Sequence, residues 1–222
     1  MEYVYTTYVL DRAKLAGALV VNDPQALRNI NEKAYAAWFP DWTPPTLITR
    51  SMAGMKAFLA EHGQIVVKPL DGMGGRSIFV VRKGDNNANV IFETLTDYGR
   101  YFAMAQAFIE EIALGDKRIL LIDGEPVGHA LARIPSGDDN RGNIVAGATV
   151  KGQDLSARDL AICDQVGPVL RDAGVLFAGI DVIGDYLTEV NVTSPTGIRE
   201  LDRLFELNIA GTLFDAIENA LR

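Results

Sequence analysis

The segment that most restricts how this chain can fold is 64–81. There the apolar run Gln64-Ile65-Val66-Val67 ends in Lys68-Pro69, a glycine-rich stretch carries Gly72, Gly74 and Gly75, and Ile78-Phe79-Val80-Val81 resumes an apolar strand. Strand, glycine loop and strand together predict a β-hairpin. Walker-type and dinucleotide loops lead at once into a helix whose N-terminus receives the phosphate, so the second strand argues against both. A flap over nucleotide phosphates fits better. Glycines permit positive φ and close backbone approach, and Lys68 adds a point charge with three donors. A tight hairpin carrying a surface lysine would satisfy the same residues, so the remainder of the chain has to decide.

At 222 residues the chain can bury roughly 70% of its unfolded surface, as one large domain or two small ones. Its 48% apolar and 23% charged residues are ordinary for a globular protein, which excludes disordered and collagen-like classes. No charged segment leads into a short apolar run at the start, and no apolar stretch approaches the roughly 18 residues a membrane span needs. The sequence therefore reads as soluble and cytoplasmic, with no membrane partner. A formal net charge of −8 without a basic stripe argues against nucleic acid. Lys and Arg are dispersed at strand ends and loops, never more than two together, a placement suited to small anions. The single cysteine, Cys163, excludes a disulfide framework and a cysteine-rich zinc site, and its helical context reads as a buried structural thiol. His62 and His129 are far apart without a nearby third ligand, against a His-metal site or a Ser-His-Asp triad.

Along the chain, the opening Val4–Leu10 leads into an amphipathic run, and Ala18–Val21 reads as a buried strand. Asp23 caps a helix with Pro24 in its first turn. A helix containing Asn31-Glu32-Lys33 follows, then a Pro44-Pro45 break, a short strand Thr46–Ile48 and a helix from about Ser51 to His62. After the glycine hairpin, Val90–Glu93 and Phe102–Ile109 read as strands. Asp123-Gly124 between apolar runs predicts a second hairpin over Lys117–Val127. Residues 134–153, rich in glycine and polar side chains, read as a long functional loop or lid beside the phosphate site. A Ser-x-x-Asp signature starts a helix over Ser156–Asp172. The strand pair Leu176–Asp181 and Tyr186–Val192 and a terminal helix from near Ile209 complete the pattern.

The segment 179–191 carries the second concentration of chemistry. Period-two alternation puts Glu189 and Asn191 on one face. If the turn consumes Gly184 to Tyr186, Asp181 pairs directly with Glu189, and opposed carboxylates beside an amide call for a cation; oxygen ligands alone select Mg²⁺ or Mn²⁺. A strict two-residue turn would put Asp181 on the opposite face. Lys33, Lys68, the glycine flap, Arg118, Arg133 and the Asp181/Glu189/Asn191 set together suit phosphoryl transfer, in which cations clamp phosphates, carboxylates hold metal ions and no nucleophilic side chain is needed.

Lys-Pro-Leu-Asp-Gly-Met-Gly-Gly at 68–75, Ala-Arg-Ile-Pro at 132–135, Arg-Gly-Asn at 141–143 and Thr-Glu-Val-Asn-Val-Thr-Ser-Pro-Thr at 188–196 resemble the bacterial glutathione synthetase family of ATP-grasp ligases. The resemblance runs from about Tyr3 to the C-terminus, and the 188–196 motif is its most specific part. It implies an α+β ATP-grasp fold in which two α/β subdomains with antiparallel sheets clamp the nucleotide, divided as 31–105 and 106–222. It further implies ATP as co-substrate, with Lys33, Lys68 and the flap glycines Gly72, Gly74 and Gly75 at the phosphates. Gln106, Phe108 and Ile109 would lie at the adenine and Asp116 near the ribose. Asp181, Glu189 and Asn191 are implied as ligands of Mg²⁺ or Mn²⁺. Arg118 and Arg133 would serve the phosphates and the reacting carboxylate, and Arg141, Ser194 and Thr196 the peptide. The family reaction joins glycine to γ-glutamylcysteine through an acyl phosphate, which a lid over 134–153 would protect from water.

Two departures from the family pattern accompany the resemblance. The family carries a further α/β domain before the region where this chain begins, so 1–30 reads as a residual segment of it. The chain is accordingly expected to be a fragment, a truncated paralogue or one piece of a split enzyme, as a homo-oligomer or with a separate N-terminal domain. Two alternatives to the family reaction stay open: an ATP-binding module with little ligase activity, or an ATP-grasp ligase for another carboxylate. The other departure is Gly147–Gly152, where a more glycine- and arginine-rich segment is expected.

Overall fold

The computed structural model describes residues 1–72, 74–135 and 149–222. Two antiparallel sheets organise it. The smaller has the order β1 (Thr46–Thr49), β4 (Ala103–Ala107), β2 (Gln64–Pro69), β3 (Phe79–Arg82). The larger has the order β7 (Thr149–Asp154), β6 (Glu125–Ile134), β5 (Asp116–Ile122), β8 (Phe177–Ile183), β9 (Tyr186–Asn191). The glycine segment is the expected hairpin, with Val67 of β2 opposite Phe79 of β3. Asp123 and Gly124, both at positive φ, turn β5 into β6 as the Asp-Gly pair predicts.

Period-two alternation divides each sheet between a core and the space facing its neighbour. In the smaller sheet Ile65, Val67, Ala103 and Ala105 pack against Met55 and Leu59 of α3 (Met52–His62) and Phe92 of α4 (Ala88–Thr96). Val66, Lys68 and Gln106 alternate onto the other face. In the larger sheet Ile119, Leu121, Ile180 and Val182 meet Ile162, Val166 and Leu170 of α5 (Ala157–Asp172). Its opposite face buries Leu120, Ile122 and Leu131 under α6 (Ile198–Phe205) and α7 (Ile209–Ala220). Arg118, Arg133 and Asp181 lie on this second face, toward the end where the helices stop covering it.

Local signals explain most helix starts. Asp23 Oδ1 accepts from the backbone amides of Gln25 and Ala26 at 2.8 and 3.4 Å and begins α2 (Pro24–Asn29). Ser156 and Asp159 form the reciprocal capping box expected for α5. Several expectations are corrected. The opening forms one helix, α1 (Glu2–Leu15), and Ala18–Val21 forms no strand: Leu19 and Val21 are exposed there. Val90–Glu93 lies inside α4, because a run of three apolar residues does not separate strand from helix, and Phe92 and Leu95 mark one helical face. Asn31 stops a helix at Lys33 by taking the amides of Lys33 and Ala34 on its own Oδ1, and a 3₁₀ turn, Ala34–Trp38, follows. Of the expected lid, Ile134 closes β6 and Thr149–Gln153 belong to β7, while 136–148 lie outside the described residues. Among the described residues no helix is long and apolar enough to cross a membrane.

Candidate functional site

The space between the sheets is a cleft of about 860 Å³. Lys33, Lys68, Gly74, Gly75, Gln106, Phe108, Ile109, Asp116, Arg118, Arg133, Asp181, Glu189, Asn191, Ser194 and Thr196 all line it. Gly72 stands at its edge, where its carbonyl accepts from Lys33 Nζ at 2.6 Å. Arg141 lies outside the described residues.

The β8–β9 hairpin resolves the register question in an unexpected way. The turn is the two-residue kind, Gly184-Asp185, with Ile183 opposite Tyr186 and Val182 opposite Leu187. A β-bulge at Thr188 then shifts the ladder by one residue, so Asp181 still pairs with Glu189. Thr188 Oγ1 donates to the Asp181 carbonyl at 3.1 Å across the bulge. Period-two counting from the turn alone therefore misplaces Asp181, because a bulge has no period.

Asp181 is the buried centre of the charge network. Arg118, its direct cross-strand partner, reaches both carboxylate oxygens: Nε pairs with Oδ1 and Nη2 donates to Oδ2 at 2.9 Å. Arg133 Nη2 lies 2.9 Å from the same Oδ2 and donates to Asp116 Oδ2 at 2.5 Å. Asn191 Nδ2 approaches Asp181 Oδ2 at 3.4 Å. Burial alone would raise the Asp181 pKa, but the two guanidiniums overcome it and hold the carboxyl below its ordinary range. Asp116 is left with the weaker share. Burial pushes it up to about 7 against the pull of Arg133, with the Asp181 and Glu189 charges adding to the rise. Its Oδ1 is buried without a hydrogen-bond partner.

At the other side of the cleft Glu189 Oε1 lies 3.5 Å from both Lys33 Nζ and Lys68 Nζ, and both lysines are buried. Burial opposes the Lys33 charge, but Glu189 and Glu32 outweigh it and raise its pKa. Backbone contacts fix this arrangement. Asn31 Nδ2 donates to Leu70 O at 2.9 Å, and Val190 N donates to Glu32 O at 2.8 Å. The 31–33 turn thus ties the glycine hairpin to the strand bearing Glu189. Glu32, Thr188 and Glu200 also line the cleft, and sequence reasoning missed them. Glu32 was recoverable as the neighbour of Lys33 and Thr188 as the first residue of the 188–196 motif; Glu200 had no local signal. Cys163 is buried on α5 with its thiol pushed up to about 12, first by burial and then by nearby Asp159, which suits the structural role expected of it.

The cleft therefore presents buried cations already neutralised by carboxylates, an arrangement that a polyphosphate can enter by exchanging counter-ions. Asp181, Glu189 and the Asn191 amide are oxygen donors of the kind Mg²⁺ and Mn²⁺ prefer. The third donor is an amide, and among the described residues no group of three or more His, Cys, Asp or Glu side chains forms a metal cluster.

Two family models match the chain. The ATP-grasp domain of prokaryotic glutathione synthetase covers 32–206, and the N-terminal domain of the same family covers 1–28. The glutathione synthetase of Xanthomonas campestris pv. campestris is 62% identical over 98% of this chain and 69% of its own length. That of Vibrio parahaemolyticus is 53% identical over 100% of this chain and 70% of its own length. Among solved structures, the D-cycloserine synthetase DcsG superposes with a TM-score of 0.75 at 16% identity, covering 100% of this chain and 79% of its own. The ATP-grasp ligase PsnB with a precursor peptide and AMPPNP gives 0.69 at 20% identity, covering 98% and 68%. These two likenesses concern the fold, which is the ATP-grasp fold expected from the sequence.

Proposed function

Because the chain belongs to the prokaryotic glutathione synthetase family, we propose that it is an ATP-dependent carboxylate–amine ligase that joins glycine to γ-glutamylcysteine. A carboxylate oxygen of the dipeptide bonds to the γ-phosphorus of ATP as the bond to ADP breaks. The glycine amine then attacks the acyl carbon of the resulting acyl phosphate and expels phosphate. The strongest support from this chain's own geometry is the convergence of Lys33, Lys68, Arg118 and Arg133 on the carboxylates of one cleft.

In this reading the nucleotide lies between 31–105 and 106–222, with its base against Gln106, Phe108 and Ile109. Lys33 and Lys68 exchange Glu189 for phosphate oxygens, under the flap that carries Gly72, Gly74 and Gly75. Asp181, Glu189 and Asn191 would hold Mg²⁺ or Mn²⁺, which supplies neutralisation of charge on the terminal phosphates. Arg118 and Arg133 stabilise negative charge on the transferring group and the reacting carboxylate, an effect worth about 3 kcal/mol per contact. Arg141, Ser194 and Thr196 hold the dipeptide. Asp116, bound to Arg133 without ligand, orients that guanidinium and borders the ribose.

The test is coupled ADP release with Mg²⁺-ATP, γ-glutamylcysteine and glycine, omitting each in turn. Release that requires all three is expected. ATP binding without substrate-dependent release would overturn the ligase reading in favour of a nucleotide-binding module, and release driven only by another carboxylate would overturn the substrate assignment.

A further inference from the structure

We propose that Lys117 is a positioning residue for the Asp181/Glu189 pair, acting through the turn of the hairpin that carries them; this rests on the metal reading of those carboxylates given above. Lys117 lies between Asp116 and Arg118 on β5 but points to the opposite face of the sheet, toward α5. There its buried ammonium pairs with Asp159 and donates to Gly184 O at 3.0 Å. Asp159 is itself oriented, because its Oδ2 accepts from Ser156 N at 2.9 Å and Ser156 Oγ at 2.8 Å, leaving Oδ1 for Lys117.

The same end of α5 holds the other turn carbonyl. Arg158 Nε donates to Asp185 O at 3.0 Å while its guanidinium lies 4.1 Å from the Trp42 ring centre. Both carbonyls of the two-residue turn are thus held, Asp185 O directly by α5 and Gly184 O by Lys117 of β5, which α5 anchors through Asp159. Glu111 closes the remaining side, since a Cβ on Gly184 would meet Glu111 Cβ at 3.1 Å.

A buried ion pair is by itself weak evidence of a stabilising role, because apolar residues of similar volume commonly do as well. What an apolar pair could not do is hold Gly184 O. Strand register is set by turn geometry, and a slip of one residue sends every side chain to the other face. In this hairpin the turn and the Thr188 bulge set the Asp181–Glu189 pairing together: the turn fixes Val182 opposite Leu187, and the bulge then brings Glu189 opposite Asp181, so a displaced Gly184 shifts the frame from which the bulge is counted.

The experiment compares Mn²⁺ binding in the presence of ADP, read by electron paramagnetic resonance, with metal-free ADP binding read by calorimetry. The variant Lys117→Met/Asp159→Asn removes both buried charges together, while the amide that replaces the carboxylate keeps an acceptor for Ser156. We expect Mn²⁺ affinity to fall by about tenfold or more, as for outer contacts of metal ligands, with metal-free ADP affinity unchanged. Arg158→Ala, at a half-buried side chain, should lower Mn²⁺ affinity in the same direction but less. Ser51→Ala, which removes the α3 cap that accepts from Gly54 N at 3.2 Å and does not touch the turn, should lower stability and leave Mn²⁺ affinity alone. Unchanged Mn²⁺ affinity in both turn variants overturns the inference, as does an equal loss in Ser51→Ala. Failure of the unaltered chain to bind Mn²⁺ with ADP overturns the metal reading and the inference with it, an outcome distinct from a loss confined to the variants.

Discussion

Glu189 stands where two buried lysines would otherwise face each other, 3.5 Å from each Nζ, so its charge matters to the free protein as well as to any metal. Glu189→Gln keeps the shape and removes the charge. It should cost about 2 kcal/mol of stability without ligand, abolish the Mg²⁺-dependent part of ATP affinity, and preserve or strengthen metal-free ATP binding, because the lysines lose their internal counter-ion. Urea unfolding reads the first and titration calorimetry with and without Mg²⁺ the other two; an undiminished Mg²⁺ dependence would sink the assignment. Asp116 gives a prediction of opposite sign. Its carboxyl rises from 3.8 to about 7 in the fold, through burial first, so its neutral form is the one the fold favours. Its contribution is complete below pH 3.8 and is lost as pH rises toward 7. Asp116→Asn should therefore change stability little at pH 4 and raise it at pH 8, by an amount on the order of 2 kcal/mol. Urea unfolding at the two pH values decides it: an equal effect at both would show that the charge carries no cost.

At the scale of elements, two helical glycines make opposite predictions. Gly167 of α5 sits against the β5–β6 turn so closely that an added Cβ would lie 2.0 Å from Gly124 O, a backbone atom. Gly167→Ala should destabilise by about 2–3 kcal/mol through overpacking, despite the better helix propensity of alanine. Gly54, in the first turn of α3, meets nothing closer than 3.5 Å, so Gly54→Ala should stabilise by about 0.5–1 kcal/mol. Chemical denaturation of both variants checks the pair, and a common sign would refute the packing argument. Gly167 was unreadable in the sequence because its reason for being glycine is a distant partner in the chain, Gly124. What could be read were features whose cause is local: the Ser156-Asp159 capping box, the Asp123-Gly124 turn and the glycine hairpin. Val90–Glu93 failed because a short apolar run fits either a strand or a helix until its partners are known, and Ala18–Val21 failed because apolar composition does not reveal that Leu19 and Val21 stay exposed. The site followed the same division. The residue types and their clustering were legible, but the Thr188 bulge that sets Asp181 opposite Glu189 belongs to the sheet, and the motif resemblance supplied the grouping that periodicity left open.

At the scale of the molecule, the two sheets have separate apolar cores, one centred on Phe92, Met55 and Ile65, the other on Ile119, Ile180 and Ile162. The 31–33 turn leads into Ala36 and Phe39 of the second core, and the links described from it and from Glu189 to the smaller sheet are polar: Asn31 to Leu70, Lys33 to Gly72 and Lys68 to Glu189. Hydrophobic burial is what makes a unit fold cooperatively, and the attraction within a buried ion pair is largely offset by its desolvation. The free protein should therefore unfold in more than one step, with a van't Hoff enthalpy below the calorimetric one. A nucleotide held by Lys68 from the smaller sheet and by Arg118 and Arg133 from the larger would couple the two cores. At a hundred times its Kd it should add about 2.7 kcal/mol, which for a chain of this size is a rise in Tm of about 5–10 °C, and it should bring the two enthalpies together. Lys68→Ala should fold, since Glu189 keeps Lys33 as its partner, yet lose most of that rise and leave the enthalpies apart. Scanning calorimetry of both proteins with and without Mg²⁺-ATP measures each quantity. A single two-state transition in the free protein would mean that the polar links couple the cores without a ligand, and a full ligand-induced rise in Lys68→Ala would mean that the nucleotide is held by the larger sheet alone.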